Sequence, residues 1–230
     1  MIKDFIENFY KTKIQSIYED DYVIWYPDSD PRNWIAFLRN RAVYYDRNFV
    51  YKVFQKRNDM DQFEKFLKNY RGDLQLISSC KKDDAIIFQF NKLPGETILS
   101  NQLIDLDLDE LKKWFKNQTI EIHNTGIRCY NKYDEYKIKR DPCGIGFIFC
   151  FCDWSHSNLL YDQENNKLHL VDLDPVNWVS RNIWYCIVRD HFRLFIKQFK
   201  LKGLDDSSYV AHLVDTVVEE LDKEIPLFLD

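Results

Sequence analysis

Glycine is scarce in this 230-residue chain: there are six, and none precedes Gly72. Backbone amides that approach a phosphate closely favour glycine, so the stretch before Gly72 offers no glycine-rich phosphate cradle. Cysteine is sparse and dispersed. Cys80, Cys129, Cys143, Cys150, Cys152 and Cys186 form no C-x-x-C pair and have no histidine at ligand spacing, which argues against a structural zinc site. Cys150 and Cys152 fall two apart on an expected strand, share one face and suit reduced, buried thiols. No apolar run approaches the ~20 residues of a bilayer span, and Met1–Asp4 lacks a signal-peptide pattern. A cytoplasmic location is the expectation. Basic charge is not in excess: the formal net charge is −5, with no long basic run, so no nucleic-acid partner is expected.

Aromatic residues, by contrast, are plentiful, with 6 Trp, 14 Tyr and 17 Phe to fill a core. Hydrophobic residues at 45% and charged residues at 30% are ordinary for a globular protein. The length suits one large domain or two small lobes sharing a cleft.

The spacing of Phe5, Ile6, Phe9, Ile14 and Ile17 predicts an amphipathic helix over Ile2–Ile17. Tyr22–Tyr26 reads as an aromatic, β-branched strand, stopped by the turn chemistry of Pro27–Pro31, and Trp34–Leu38 as a strand or helical turn. Ala42–Tyr45, the turn Asp46–Asn48 and Phe49–Phe54 predict a β-hairpin with Lys52 in its second strand. A helix follows over Asp59–Tyr70, with Phe63, Phe66 and Leu67 on one stripe and Gly72 at its end. Strands are expected at Leu74–Ser78 and Ala85–Phe90, a helix at Leu106–His123, and helices at Asn182–Lys200 and from Ser207 or Ser208 to about Leu221.

The most informative segment is Phe149–Asn177. An apolar strand, Phe147–Phe151, leads to Asp153, and Asn158 stands five residues on. A second strand, Leu159–Tyr161, a polar turn over Gln163–Asn166 and a third strand, Lys167–Val171, then end on Asp172. Asp153, Asn158 and Asp172 thus arrive at one end of a small hairpin. Oxygen donors in that pattern can hold a hard divalent cation against phosphate and place a carboxylate beside an attacking hydroxyl.

This D-x-x-x-x-N, hairpin and strand-terminal Asp resembles the catalytic segment of the kinase-like fold. The L-V-D-L-D run ending on Asp174 brings it nearest to the branch of aminoglycoside and choline phosphotransferases and lipopolysaccharide kinases. The resemblance implies an α+β, two-lobed fold. Residues 1–90 would form a small β-rich N-lobe with one main helix, and residues 91–230 a compact, mostly helical C-lobe. It implies ATP and Mg2+ as cofactors. Asp153 would accept the acceptor's proton, and Asn158 and Asp172, with Asp174 as second choice, would bind the metal. Lys52 resembles the strand lysine that grips the inner phosphates and acts in catalysis, and Glu64 the helix carboxylate that pairs with it, with Asp61 competing for that role. Gln89, Phe90 and Asn91 resemble the hinge whose backbone meets the adenine edge. His156 lies where relatives carry a catalytic-loop histidine; contact with phosphate or acceptor, and a hydrogen bond to the loop backbone, both stand as readings.

Several departures from the pattern bear on function. The missing glycine-rich loop leaves Pro27–Trp34 or Arg39–Arg41 as substitutes, with arginine supplying charge. Residues 128–146 read as an insertion near the cleft, either substrate-contacting or packing only. The 58 residues beyond Asp172 contain no A-P-E segment, which favours a small-molecule or glycan acceptor over a protein. The expected activity is therefore phosphoryl transfer to a hydroxyl. A degenerate nucleotide-binding or scaffolding member, a protein Ser/Thr kinase and a nucleotidyl-transferring variant are the alternatives.

Overall fold

In the computed structural model, residues 2–19, 40–55, 60–98, 103–104, 108–130, 147–151, 153–154, 158–173, 176–198, 200–201 and 207–225 are described. A five-stranded antiparallel sheet organises the first part of the chain. Its strands β1 (Gln15–Glu19), β2 (Asn40–Tyr45), β3 (Phe49–Gln55), β4 (Leu76–Lys82) and β5 (Ala85–Asn91) lie in the order β1-β2-β3-β5-β4. Alternation along each strand sorts side chains to two faces. Tyr51 and Val53 join Ala85, Ile87 and the Ile6 of helix α1 (Ile2–Tyr10) on one face. Phe54 joins Ile86, Phe88 and Phe90 on the other, beneath Phe63, Phe66 and Leu67 of helix α2 (Met60–Asn69). Lys52, two residues from Phe54, therefore belongs to the α2 face.

The expected N-terminal helix Ile2–Ile17 is cut short. Lys11 adopts φ 53°, and the Thr12 and Ile14 amides turn back to the Glu7 carbonyl and carboxylate. The chain then pairs Gln15 with Tyr45 as β1. β-Branched Thr12, Ile14 and Ile17 suit a strand better than a helix, and the sheet edge supplies the partner. The readings at Tyr22–Tyr26, Pro27–Trp34 and Trp34–Leu38 lie outside the described residues.

A polar chain fastens α1 to its face of the sheet. Tyr10 Oη lies 3.2 Å from Ser78 Oγ, Ser78 donates to Gln89 Oε1 at 2.7 Å, and Gln89 Nε2 lies 3.4 Å from Tyr51 Oη. Tyr51 donates to Asp46 Oδ2 at 2.7 Å, which also accepts from Thr12 at 2.9 Å. Asp46 Oδ1 takes the amides of Asn48 and Phe49, each at 2.8 Å, which closes the β2–β3 turn.

Beyond the sheet, β6 (Glu96–Thr97) pairs with β9 (Leu159–Asp162), which pairs with β10 (Lys167–Leu170) as the expected hairpin. Helix α3 spans Leu108–Cys129, longer than the expected Leu106–His123. Gly126, beyond the expected end at His123, lies inside the helix. The Phe149 ring packs where a Cβ would stand, so the glycine lets α3 approach strand β8 (Phe147–Phe151). Strand β8 pairs with β11 (Val176–Ser180), a strand that sequence patterning did not reveal. Short β7 (Leu103–Ile104) and β12 (Lys200–Leu201) run parallel, and α4 (Arg181–Gln198) and α5 (Ser207–Glu224) complete the described elements.

One hydrophobic cluster runs from Phe54 and α2 through α3 and β8 to Val188 of α4 and Leu221 of α5. The architecture is α+β, as the sequence implies. Cys80, Cys129 and Cys186 carry free thiols, and no helix among the described residues is long and apolar enough to cross a membrane.

Candidate active site

Lys52 leaves the five-stranded sheet on the α2 face, and its ammonium reaches the end of β10. Nζ lies 2.6 Å from Asp172 Oδ1 and 2.8 Å from the Val171 carbonyl oxygen. The two side chains are 9% and 23% exposed, so the pair is only partly screened by water. The ring of Phe90, buried on the same face, stands 6.0 Å from Nζ. A cation held by a carboxylate and a carbonyl, with an aromatic wall beside it, is fixed in place.

The hairpin brings Asn158, and through its amide the Asp153 backbone, to the same end. The Val171 amide donates to the Asn158 carbonyl at 2.9 Å, and Asn158 Nδ2 donates to the Asp153 carbonyl at 3.0 Å. Lys52, Val171, Asn158 and Asp153 are thereby linked in one run of hydrogen bonds. Asp153 is held by its neighbour. Trp154 is 3% exposed, with its ring 4.6 Å from that of Phe115 and 5.3 Å from that of Phe151. The sequence marks Trp154 only as an unusual companion of Asp153. Its anchoring role depends on α3 packing beneath it, which no local pattern reports. The Val171 carbonyl is likewise silent in sequence, since any residue could supply it.

Glu64 does not pair with Lys52. It accepts from Lys68 Nζ at 2.5 Å and from Ser79 Oγ at 2.7 Å. Burial pushes its carboxyl up, but these hydrogen bonds and the charges of Lys68 and Lys81 hold it below the ordinary carboxylate range. Asp61 turns the same way, to Lys81 Nζ at 3.1 Å. The cause is helical phase: with Phe63 and Leu67 facing the sheet, Glu64 falls on the edge of α2 nearest β4. Gln62, about 200° around the helix from Glu64, has a buried Oε1 with no hydrogen-bond partner among the described residues.

The hinge expectation also shifts. Gln89 and Phe90 are in register with β3 on one side and β4 on the other, so their backbone groups lie within the sheet. Asn91 donates its amide to the Gln75 carbonyl at 3.3 Å, and the Lys92 amide goes to Asn48 at 2.9 Å. The Gln89 side chain belongs to the polar chain under α1, and only the Phe90 ring reaches the Lys52 side. Backbone free of the five-stranded ladder begins after Lys92. His156 and Asp174 lie outside the described residues.

Magnesium takes hard oxygen ligands and keeps several positions for water and phosphate. Asn158 commits Nδ2 to the backbone, which leaves Oδ1 as the end available for ligation, and Asp172 already holds a cation, the Lys52 ammonium. Among the described residues no three His, Cys, Asp or Glu side chains form a metal-holding group. Asn158 Oδ1 and the Asp172 carboxylate are oxygen donors of the kind magnesium takes.

No family model matches the sequence, and no curated protein matches it. The structure is similar to solved kinase-like structures at low identity. The bifunctional kinase-methyltransferase WbdD is 12% identical, with 99% of this chain and 65% of that chain covered at a TM-score of 0.43. In the monomeric WbdD structure the values are 12%, 88% and 63%, at a TM-score of 0.38, so this chain spans under two thirds of WbdD. The aminoglycoside phosphotransferase APH(3'')-Id from Streptomyces rimosus, in complex with ADP and streptomycin, is 9% identical, with 85% of this chain and 88% of that chain covered at a TM-score of 0.41.

Proposed function

We infer that the chain is an ATP- and Mg2+-dependent phosphotransferase acting on a hydroxyl of a small-molecule or glycan acceptor. The observation that carries this reading is the joining of Lys52 from the sheet to Asp172 and Val171 from the hairpin, beside an Asn158 oriented by the Asp153 backbone. Residues 1–90 then serve as the N-lobe and 91–230 as the C-lobe of one catalytic unit.

Lys52 binds the inner phosphates, and its ammonium offsets charge that develops on them as the terminal group departs. Asn158 Oδ1 and the Asp172 carboxylate would hold magnesium, with Asp174 as a further candidate. When bound, the metal supplies neutralisation of the phosphate oxygens. Asp153 orients the acceptor hydroxyl and accepts its proton at the carboxylate. His156, in the same loop, is proposed to contact phosphate or acceptor. The adenine edge would meet backbone following Lys92 rather than Gln89, Phe90 or Asn91, because the ladder occupies the last three. Incubating the protein with labelled ATP, Mg2+ and panels of sugars, amino alcohols and peptides, with products identified by mass, tests the reading. A phosphorylated sugar or amino alcohol supports it. A peptide product redirects the acceptor class, and a nucleotide-bearing product replaces phosphoryl with nucleotidyl transfer.

A second reading is a nucleotide-binding protein without turnover. Two observations favour it: Glu64 is committed to Lys68 and Ser79 rather than Lys52, and no glycine precedes Gly72. Binding of Mg2+-ADP without hydrolysis or transfer of ATP would select this reading.

A further inference from the structure

The strand that delivers Asp172 carries a second contact across the molecule. His169, on β10 three residues before Asp172, is 6% exposed. Its Nδ1 stands 3.5 Å from Asp73 Oδ2, in the loop between α2 and β4. Neither imidazole nitrogen, nor Asp73 Oδ2, has a hydrogen-bond partner among the described residues. A buried donor left unsatisfied is costly, and a closure of a few tenths of an ångström would join these groups. The loop that presents Asp73 is itself anchored on α3: Tyr70 Oη meets Gln118 Oε1, and the Arg71 amide donates to Glu121 at 2.9 Å. Asp73 is therefore a fixed post beside α2, and His169 is the point where the strand leading to Asp172 meets it.

Lys52 also ties the sheet to the end of this strand, a tie on which a loaded site would draw. A metal on Asp172 and phosphates on Lys52 would each withdraw one partner from the pair. The His169–Asp73 contact involves neither Lys52 nor Asp172. We propose that His169 and Asp73 are positioning residues that hold the Asp172 strand in register with α2 once Lys52 has released it. This rests on the phosphotransfer reading of the site.

The test is calorimetric titration of the full chain with ADP, with and without Mg2+, for wild type, Asp73→Asn, His169→Leu and His169→Asn, alongside their melting temperatures. Asparagine places its Nδ2 close to where the imidazole carries Nδ1, so His169→Asn keeps the donor that faces Asp73. His169→Leu is expected to weaken the Mg2+-dependent part of ADP binding roughly 10-fold, as loss of a group supporting a metal ligand does. Asp73→Asn, nearly isosteric, should weaken it in the same direction, metal-free ADP binding should stay near wild type, and His169→Asn should restore most of the loss. Variants that bind Mg2+-ADP as wild type does would overturn the proposal. So would a parallel fall of metal-free binding, metal-dependent binding and melting temperature, which marks packing alone. Wild-type protein that binds no Mg2+-ADP would overturn the phosphotransfer reading itself, a result distinct from either of these.

Discussion

A single ammonium, Lys52 Nζ, is shared by a carboxylate and a carbonyl that lie 119 and 120 residues away in the chain. Its removal should separate two effects. Lys52→Met leaves the Asp172 carboxylate without its counter-charge in a partly buried place, a cost of about 1–3 kcal/mol. For a chain of this length that lowers the melting temperature by roughly 2–12 °C. Phosphoryl transfer should fall by about 10²-fold or more, the scale of losing one preorganised donor to developing charge. Asp153 makes the opposite separation. Among the described residues no hydrogen bond or ion pair of its side chain holds an element, and its backbone carbonyl, which Asn158 needs, is unaffected by substitution. Asp153→Asn should therefore melt as wild type and bind Mg2+-ADP as wild type, yet lose about 10²–10⁴-fold in transfer rate. Initial rates with labelled ATP, read beside melting curves, check both variants.

The elements that aim these residues depend on a few close approaches and one polar network. Gly95 adopts φ +98°, and a Cβ there would meet the Tyr161 carbonyl at 2.6 Å and the Asp162 amide nitrogen at 2.7 Å. Gly95→Ala should push β6 off β9 and cost about 2 kcal/mol or more, from left-handed backbone strain and backbone overlap together. Differential scanning calorimetry should record a fall of roughly 4–8 °C. Under α1, burial pushes the Asp46 carboxyl up. Hydrogen bonds from Tyr51, the Asn48 and Phe49 amides and Thr12 outweigh that and leave it below its ordinary 3.8. A depressed carboxyl contributes stability that is complete above its unfolded value and fades as pH falls through the lower folded value. Wild type should thus exceed Asp46→Asn in stability by a constant margin above about pH 5, narrowing below pH 4. Denaturation curves at a series of pH values check this; a margin that widens in acid would contradict it. Tyr51 moves the other way, its phenol raised by burial and by Asp46, and stays a neutral donor at every pH of interest.

Across the whole molecule, what the sequence disclosed follows from how local each feature is. The β2–β3 hairpin, the α2 stripe of Phe63, Phe66 and Leu67, and the β9–β10 hairpin with its polar turn are set by neighbours within a few residues. Each appears within a residue or two of its expected bounds. The same hairpin sets Asn158 beside the strand that ends on Asp172, through the Val171 amide on the Asn158 carbonyl. The failures are those decided by distant partners. Gly126 continues a helix because Phe149 packs on it, β11 exists because β8 needs an edge, and Gln15–Glu19 leaves the helical pattern because β2 takes it as a strand. Glu64 was misassigned for the same reason. Its choice of Ser79 over Lys52 rests on how α2 is rotated over the sheet, which composition does not encode. Whether Lys52 and Asp172, from two distant segments, hold a metal-bound nucleotide as proposed is tested most directly by thermal melting with saturating ADP, with and without Mg2+. Mg2+-ADP at about 100 times its Kd should stabilise wild type by roughly 2.7 kcal/mol, raising the melting temperature by roughly 5–11 °C, more than ADP alone does, and Asp172→Asn should abolish the Mg2+-dependent increment. A wild type that melts at the same temperature with and without Mg2+-ADP, or an Asp172→Asn variant that gains the full increment, would contradict the account.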